Sequence, residues 1–153
     1  MSVAVVAVEG RAGISAVTVL GGENVLHFRP HSVLDWISLV RQGIGAGAVD
    51  AAARVVGIGQ AELASALDIP KRTLARRKKE GVLSRDESGK LVRLARVVER
   101  AAEVFEDEAA ALAWLKAAND ALGGASPISL LDTDLGADAV MNTLGRIEHG
   151  VFA

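Results

Sequence analysis

Residues 60–81, QAELASALDIPKRTLARRKKEG, contain two short helical patterns separated by a turn. Ala64 is small, as the close crossing of two helices requires, and Ile69 and Leu74 follow it by five and ten residues. Both side chains can therefore return to fill the space between the helices. Pro70 can neither extend the first helix nor donate a backbone hydrogen bond, so it separates the two. This spacing predicts a helix-turn-helix over residues 60–81, although Asp68 occupies the turn position where glycine is commonest.

The second helix of this motif is strongly basic. Six positive charges lie within residues 71–79, and no acidic residue interrupts them. Such runs are often no more than a solvated helix face, but a solvated face does not explain the apolar spacing of the motif. We therefore predict that the outward face enters the major groove of DNA. Base contacts are predicted for Arg72, Thr73 and Arg76, and phosphate contacts for Lys71, Arg77, Lys78 and Lys79.

Composition limits the other functions that the chain can have. It has 153 residues and a formal net charge of -2, so any DNA-binding patch must be local. Cysteine is absent, which excludes disulfides and a thiol nucleophile and fits a cytoplasmic protein. The apolar residues 2–8 are too few for a membrane span and lack the basic start of a signal peptide.

The sequence offers no convincing catalytic or metal site. The three histidines, His27, His31 and His149, are scattered and are not predicted to hold zinc, and Asp132 and Asp134 lack a companion nucleophile or base. The glycines at 43, 45 and 47 lack the Lys-Ser or Lys-Thr of a phosphate loop and are interpreted as a helix break. We expect no cofactor, no metal and no enzymatic activity. Trp36 and Trp114 each sit among apolar residues at helical spacing, which favours the core over an interface.

The rest of the chain is predicted to be mainly α. Helices are expected from the N-cap Ser32, over residues 48–56, from the capping box of Ser84 and Glu87 to near residue 105, and over residues 108–118 and 136–147. Val33, Leu34, Ile37 and Val40 share one face of the first of these. The first thirty residues are ambiguous, because residues 2–8 and 17–20 have strand-like composition yet equally suit an arm or a disordered tail.

We therefore divide the chain into three segments. Residues 1–31 are an N-terminal arm of uncertain structure, and residues 32–95 are a helix-turn-helix DNA-binding domain. Residues 96–153 form a small C-terminal helical domain.

The C-terminal half carries a series of short motifs. They are Arg93-Leu94-Ala95-Arg96, Trp114-Leu115, Asn119, Leu122-Gly123-Gly124, Pro127, Leu130-Leu131 and Thr133, then Gly136, Val140, Leu144, Arg146-Ile147 and Gly150-Val151. With the helix-turn-helix before it, this order resembles the Xre/MbcA/ParS family of antitoxins from about residue 44 to the C-terminus. Two local departures are Ala118, where the family often has proline, and Gly89, where a polar residue is usual.

The resemblance implies a function that the residues alone do not give. Family members bind toxins of the RES type, which resemble ADP-ribosyltransferases and deplete NAD, and their C-terminal domain obstructs the NAD pocket. It also implies repression of the shared operon by the DNA-binding half. The candidate toxin contacts in this chain are Asn142, Arg146, Glu148, His149, Val151 and Phe152. A homodimer on a two-fold operator is expected, since one helix-turn-helix makes few contacts, as is a larger complex with the toxin.

Two alternatives remain open at this point. The first is a dimeric helix-turn-helix regulator whose C-terminal half only dimerises or senses a ligand. The second is a protein-binding adaptor with a degenerate helix-turn-helix.

Overall fold

The computed structural model describes residues 13–150, so that the first twelve and the last three residues lie outside the description. The α-helices are α1 (Ala16–Val19), α2 (Glu23–Leu26), α3 (Val33–Gln42), α4 (Gly47–Val56), α5 (Gln60–Ala66), α6 (Lys71–Glu80), α7 (Arg85–Phe105), α8 (Glu108–Lys116) and α9 (Asp134–Glu148). Two 3₁₀ helices, Asp120–Leu122 and Pro127–Leu130, lie between α8 and α9. Residues 13–150 contain no β-strand, which confirms the mainly α fold class.

The long helix α7 is the centre of this arrangement. Leu91, Leu94, Val98 and Ala101 recur every three or four residues along it, and all four are buried. This apolar face packs against α1 and α3 on the N-terminal side of the sequence and against α8 and α9 on the C-terminal side. The core is therefore shared by both halves of the chain, and the aliphatic composition suits it.

The predicted capping box fixes the start of α7. The Ser84 hydroxyl accepts a hydrogen bond from the Glu87 N–H at 3.1 Å, and the Glu87 carboxylate accepts one from the Ser84 N–H at 2.8 Å. Two N–H groups that the helix leaves unpaired are thereby satisfied. The prediction that this helix runs to near residue 105 is also confirmed.

Residues 13–31 belong to the packed structure. Residues 16–19 form helix α1, although residues 17–20 have strand-like composition. Ser15 caps this helix through a reciprocal pair with Thr18, and the Ala16 N–H donates to Glu99 of α7 at 2.9 Å. Packing on α7 decides the conformation here, and Val19 is completely buried. The predicted strand-like run at residues 2–8 lies outside the described residues.

The glycine-rich segment after α3 is a tight backbone crossing. Gly43 has φ +93°, and a Cβ there would lie 2.5 Å from the Leu83 carbonyl oxygen. Beyond it, the Ile44 carbonyl accepts from the Leu83 N–H at 2.8 Å, and the Ile44 N–H donates to the buried Ser88 hydroxyl at 2.8 Å. The segment breaks the helix, as predicted. Its hydrogen bonds connect it to Leu83, between α6 and α7, and to Ser88 in the first turn of α7.

Helix α3 begins at the predicted cap, where the Ser32 hydroxyl accepts from the Asp35 N–H at 3.2 Å. Its apolar residues do not all face the core. Leu39 is buried and Trp36 packs partly against the core, whereas Val33 and Leu34 are largely exposed. Trp114 is also half-buried, with its ring 5.7 Å from that of Phe105. The core interpretation of both tryptophans is thus confirmed in part.

Helix α9 starts two residues earlier than predicted, because Thr133 caps it by accepting from the Gly136 N–H at 3.0 Å. Val140 and Leu144 bury its inner face against α7. Gly136 lies where α9 crosses the 3₁₀ helix Pro127–Leu130, and a Cβ there would collide with the Leu130 carbonyl oxygen. None of the helices in residues 13–150 combines the length and the apolar character needed to cross a membrane.

We expect Gly136→Ala to destabilise the protein by about 1–3 kcal/mol, because a backbone oxygen cannot move aside as a side chain can. Gly145→Ala is the matched control in the same helix. A Cβ at Gly145 meets nothing within 4 Å, so alanine should stabilise the helix by about 0.5–1 kcal/mol. Urea unfolding of the three proteins measures both effects, and equal stability of the two variants would contradict the close approach at Gly136.

Candidate functional site

The helix-turn-helix forms as its spacing predicts. Ala64 and Leu74 are buried between α5 and α6, and the Ile69 N–H donates to the Ala64 carbonyl at 2.8 Å across the turn. Asp68 adopts a left-handed conformation with φ +56°, which explains why glycine is common at this position. Aspartate tolerates this region better than most residues, and the Lys90 ammonium donates to the Asp68 carbonyl at 3.1 Å.

Five of the seven predicted DNA contacts on α6 are exposed to solvent. These are Lys71, Arg72, Arg76, Lys78 and Lys79, while Thr73 is half-buried. Arg72, Arg76 and Lys79 recur at intervals of four and three residues, so they lie along one side of the helix. This row gives the helix a cationic face without a competing acidic side chain among these positions.

Two cations of α6, Arg77 and Lys78, have partners within the protein. The Arg77 Nε donates to Glu87 Oε1 at 2.7 Å, and its Nη1 lies 3.0 Å from Glu80 Oε1. The Lys78 ammonium contacts the Gln60 amide oxygen and lies 3.8 Å from Asp50 Oδ1. Phosphate contacts by Arg77 and Lys78 stay predictions. Each side chain would have to contact a phosphate while it keeps its partners within the protein.

The Glu87 carboxylate connects α6 to α7. The residue is 7% exposed, and its Oε1 accepts from both the Arg77 guanidinium and the Ser84 N–H. Burial raises the pKa of this carboxyl, but the hydrogen bonds from Arg77 and Ser84 outweigh it and hold the pKa below its usual value. The same bond raises the pKa of Arg77. The sequence identified Glu87 only as a capping residue.

A second exposed surface runs along α9. Asn142, Arg146 and His149 are exposed and recur at intervals of four and three residues on one side of the helix. Together with Met141 and Gly145 they line a shallow groove of about 370 Å³. The structure therefore brings three of the six predicted toxin contacts together. Val151 and Phe152 lie outside the described residues.

Glu148 lies off this row and is paired within the protein. Its carboxylate accepts two hydrogen bonds from the Arg100 guanidinium of α7, at 2.5 and 3.0 Å. The bond to Arg100 lowers the pKa of Glu148. This pair fastens the end of α9 to α7, so the structure assigns Glu148 a contact within the fold, and its toxin contact stays a prediction.

The α9 row extends further than the sequence reasoning suggested. Leu135 and Asp138 continue it toward the start of the helix, seven and four residues before Asn142. Leu135 is 82% exposed, the largest value among the exposed large hydrophobic residues described. The signal that would have found both is the same interval of three and four residues. Among residues 13–150, no cluster of three or more potential metal ligands occurs.

Comparison with known proteins identifies the two domains in which these surfaces lie. A model of the antitoxin Xre-like helix-turn-helix domain matches residues 35–96, and a model of the antitoxin Xre/MbcA/ParS C-terminal toxin-binding domain matches residues 100–150. The protein named Antitoxin Xre from Yersinia enterocolitica is 34% identical over 119 residues, which cover 76% of this chain and 80% of that one. The chain belongs to the Xre/MbcA/ParS family of antitoxins.

Two further relatives agree with this assignment. The Antitoxin Xre of Photorhabdus laumondii is 34% identical over 118 residues, covering 76% of this chain and 80% of that one. A Sphingobium protein named Prs ADP-ribosylating antitoxin is 26% identical over 132 residues, covering 80% and 83%. This antitoxin thus combines a helix-turn-helix with a C-terminal toxin-binding domain. The first matched region ends at residue 96 and the second begins at residue 100, both inside α7. The predicted boundary between residues 95 and 96 lies in the same helix.

We expect Glu87→Gln to lower the free energy of unfolding at pH 7 by about 1–3 kcal/mol. The glutamine amide is neutral, so its hydrogen bond with the Arg77 guanidinium lacks the attraction between opposite charges. Since the pKa of folded Glu87 is lowered, its contribution is present above the unfolded pKa and disappears as the pH falls through the folded value. The difference between wild type and Glu87→Gln should therefore shrink on acidification. Urea unfolding at several pH values measures it.

Glu80→Gln is the control for this prediction. Glu80 bonds the same arginine, but its side chain is 48% exposed, so its loss should cost less than about 1 kcal/mol. If Glu80→Gln destabilised the protein as much as Glu87→Gln at pH 7, burial of the Glu87 bond would not be the source of its strength.

Proposed function

We propose that this antitoxin neutralises a RES-type toxin that degrades NAD, and that it represses its own operon through the helix-turn-helix. The observation that carries the proposal is the exposed row Asn142, Arg146 and His149, which lies within the toxin-binding match at residues 100–150. In this proposal the row and the following tail cover the entrance of the toxin's NAD pocket. Repression follows when α6 occupies the operator.

The chemistry of the C-terminal end supports a nucleotide pocket as the target. Arg146 supplies a positive charge, and Val151 and Phe152 follow it as apolar residues. This combination suits a pocket that binds a nucleotide through acidic or aromatic side chains. One relative is named for ADP-ribosylation, a reaction that consumes NAD, and that name supports a partner with related chemistry.

The positions of the two surfaces support simultaneous binding of toxin and DNA. Glu87 holds α6 near the start of α7, whereas Arg100 holds the end of α9 thirteen residues further along. At 1.5 Å per residue, these two attachment points are about 20 Å apart along the helix axis. Binding of the toxin at α9 therefore need not obstruct α6, and a complex of homodimer, toxin and operator DNA is the proposed repressing form.

We expect Arg146→Glu to abolish protection when the antitoxin is co-expressed with the RES-type toxin proposed to share its operon. A reversed charge at a central contact should weaken binding by about 2 kcal/mol or more, roughly thirtyfold. Colony counts and cellular NAD measure the outcome. Arg54→Glu, at an exposed arginine of α4 in the DNA-binding domain, is the matched control and should protect fully. Full protection by Arg146→Glu would exclude Arg146 from the toxin interface.

We expect Arg76→Ala and Lys79→Ala to weaken operator binding in different ways. Loss of a base contact at Arg76 should cost about 1–3 kcal/mol and reduce discrimination against unrelated DNA. Loss of a phosphate contact at Lys79 should weaken binding to all sequences and lower the slope against salt concentration by about one. Fluorescence anisotropy over a salt series measures both, with Arg54→Ala as the control. Identical behaviour of the two variants would contradict the division into base and phosphate contacts.

A further inference from the structure

A cleft of about 480 Å³ separates α7 from the first half of α9. Its floor is apolar and includes Val92, Val97 and Ala137, which are buried. Arg96 of α7 and Asp138 of α9 also line the cleft, and both side chains are exposed to solvent. We name this feature, with these five residues, the α7–α9 cleft. It combines an apolar floor with a positive and a negative charge at its sides.

Three arginines follow one another along α7 at intervals of three and four residues, and the middle one differs from the other two. Arg93 pairs with Asp134 in the first turn of α9. Arg100 pairs with Glu148 at the end of the same helix. The two outer arginines therefore hold the two ends of α9 against α7. Arg96 lies between them and makes no side-chain hydrogen bond or ion pair with residues 13–150, so the fold leaves its guanidinium available to a partner.

The α7–α9 cleft is continuous with the surface proposed to bind the toxin. Met141 lines both the cleft and the shallow groove that contains Asn142 and Arg146. Asp138 belongs to the exposed row of α9 and lines the cleft as well. A protein that covers this row therefore also reaches the cleft beside it.

The row on α9 is by itself too small for a stable protein interface. Helix α9 has fifteen residues, a length of about 22 Å. Its exposed row consists of Leu135, Asp138, Asn142, Arg146 and His149. A standard interface takes about 800 Å² and roughly 20–30 residues from each partner. The contact must therefore extend to neighbouring elements, and the cleft provides apolar surface directly beside the row.

We propose that the toxin bound at α9 also enters the α7–α9 cleft, with an apolar side chain on the cleft floor and an acidic side chain paired with Arg96. The inference rests on the proposed function, because it requires α9 to face the toxin. It adds contacts from outside the toxin-binding match at residues 100–150, since Val92 and Arg96 lie within the helix-turn-helix match at residues 35–96. The DNA-binding half of the chain thereby contributes directly to toxin binding.

The charges around the cleft favour a protein partner over DNA. Asp134 and Asp138 line its α9 side, and their negative charge opposes the approach of a phosphate backbone. Arg96 also lies nine residues beyond Glu87, where α6 is attached, which is about 14 Å along α7. Mixed charges around an apolar centre are usual in interfaces between proteins, and arginine is enriched among the residues that dominate their binding energy.

The first test is the affinity of the full-length antitoxin for the RES-type toxin proposed to share its operon. The toxin carries an inactivating substitution, so that it can be produced alone. Arg96→Glu places two negative charges together at the cleft, and the dissociation constant should rise about tenfold or more. Arg54→Glu, the same change at an exposed arginine of α4, should leave it unchanged. Both arginines are exposed, so circular dichroism should show an unchanged helical fold.

Thiol labelling locates the contact independently of the affinity. The chain contains no cysteine, so Arg96→Cys and Asn142→Cys each introduce a single thiol. Their reaction with a maleimide is followed by mass spectrometry of the antitoxin, with and without saturating toxin. We expect bound toxin to abolish labelling at both positions, and to leave labelling of the Arg54→Cys control unchanged.

The outcomes separate this inference from the proposed function. Protection of Asn142→Cys without protection of Arg96→Cys would confine the toxin to α9 and overturn the inference, whereas the proposed function would stand. If neither thiol were protected in a sample where the toxin binds, the α9 contact of the proposed function would fail as well. If Arg96→Glu abolished operator binding but bound the toxin as wild type does, Arg96 would be a DNA contact, which also overturns the inference.

Discussion

The bond between Arg77 and the buried Glu87 carboxylate joins α6, the second helix of the helix-turn-helix, to the start of α7. Glu87 also caps α7 together with Ser84, so one carboxylate fixes both the start of the central helix and the orientation of α6 against it. A buried charge is costly unless it is paired and hydrogen-bonded, and Arg77 and the Ser84 N–H meet that requirement here. The cationic row of α6 is therefore held in a fixed position relative to α7.

Helix α7 connects the helix-turn-helix to the C-terminal helices. The two matched domains divide within it, yet its buried residues face α1 and α3 as well as α8 and α9. No linker separates DNA binding from toxin binding, and the Arg100–Glu148 pair fastens α9 to the same helix. A substitution on the inner face of α7 is consequently expected to disturb both halves, whereas changes to exposed residues of α6 or α9 separate them.

Much of the fold follows from local signals in the sequence. The apolar spacing around Ala64 and the capping box at Ser84 place α5 to α7 correctly, because both depend on contacts within about ten residues. Helix α1 was ambiguous, since its conformation depends on packing against α7 and on the bond from Ala16 to Glu99, 83 residues away. The pairing of Arg77 with Glu87 and that of Glu148 with Arg100 were both missed, because each bond crosses between two helices. Charge alone does not reveal whether a partner lies across a helix interface.

The chemistry of the two exposed surfaces, the α6 row and the α9 row, differs in a way that matches the partners proposed for them. The α6 row is cationic, as a phosphate backbone requires. The α9 row mixes amide, cationic, acidic and apolar groups, which is usual for an interface between proteins that also exist apart.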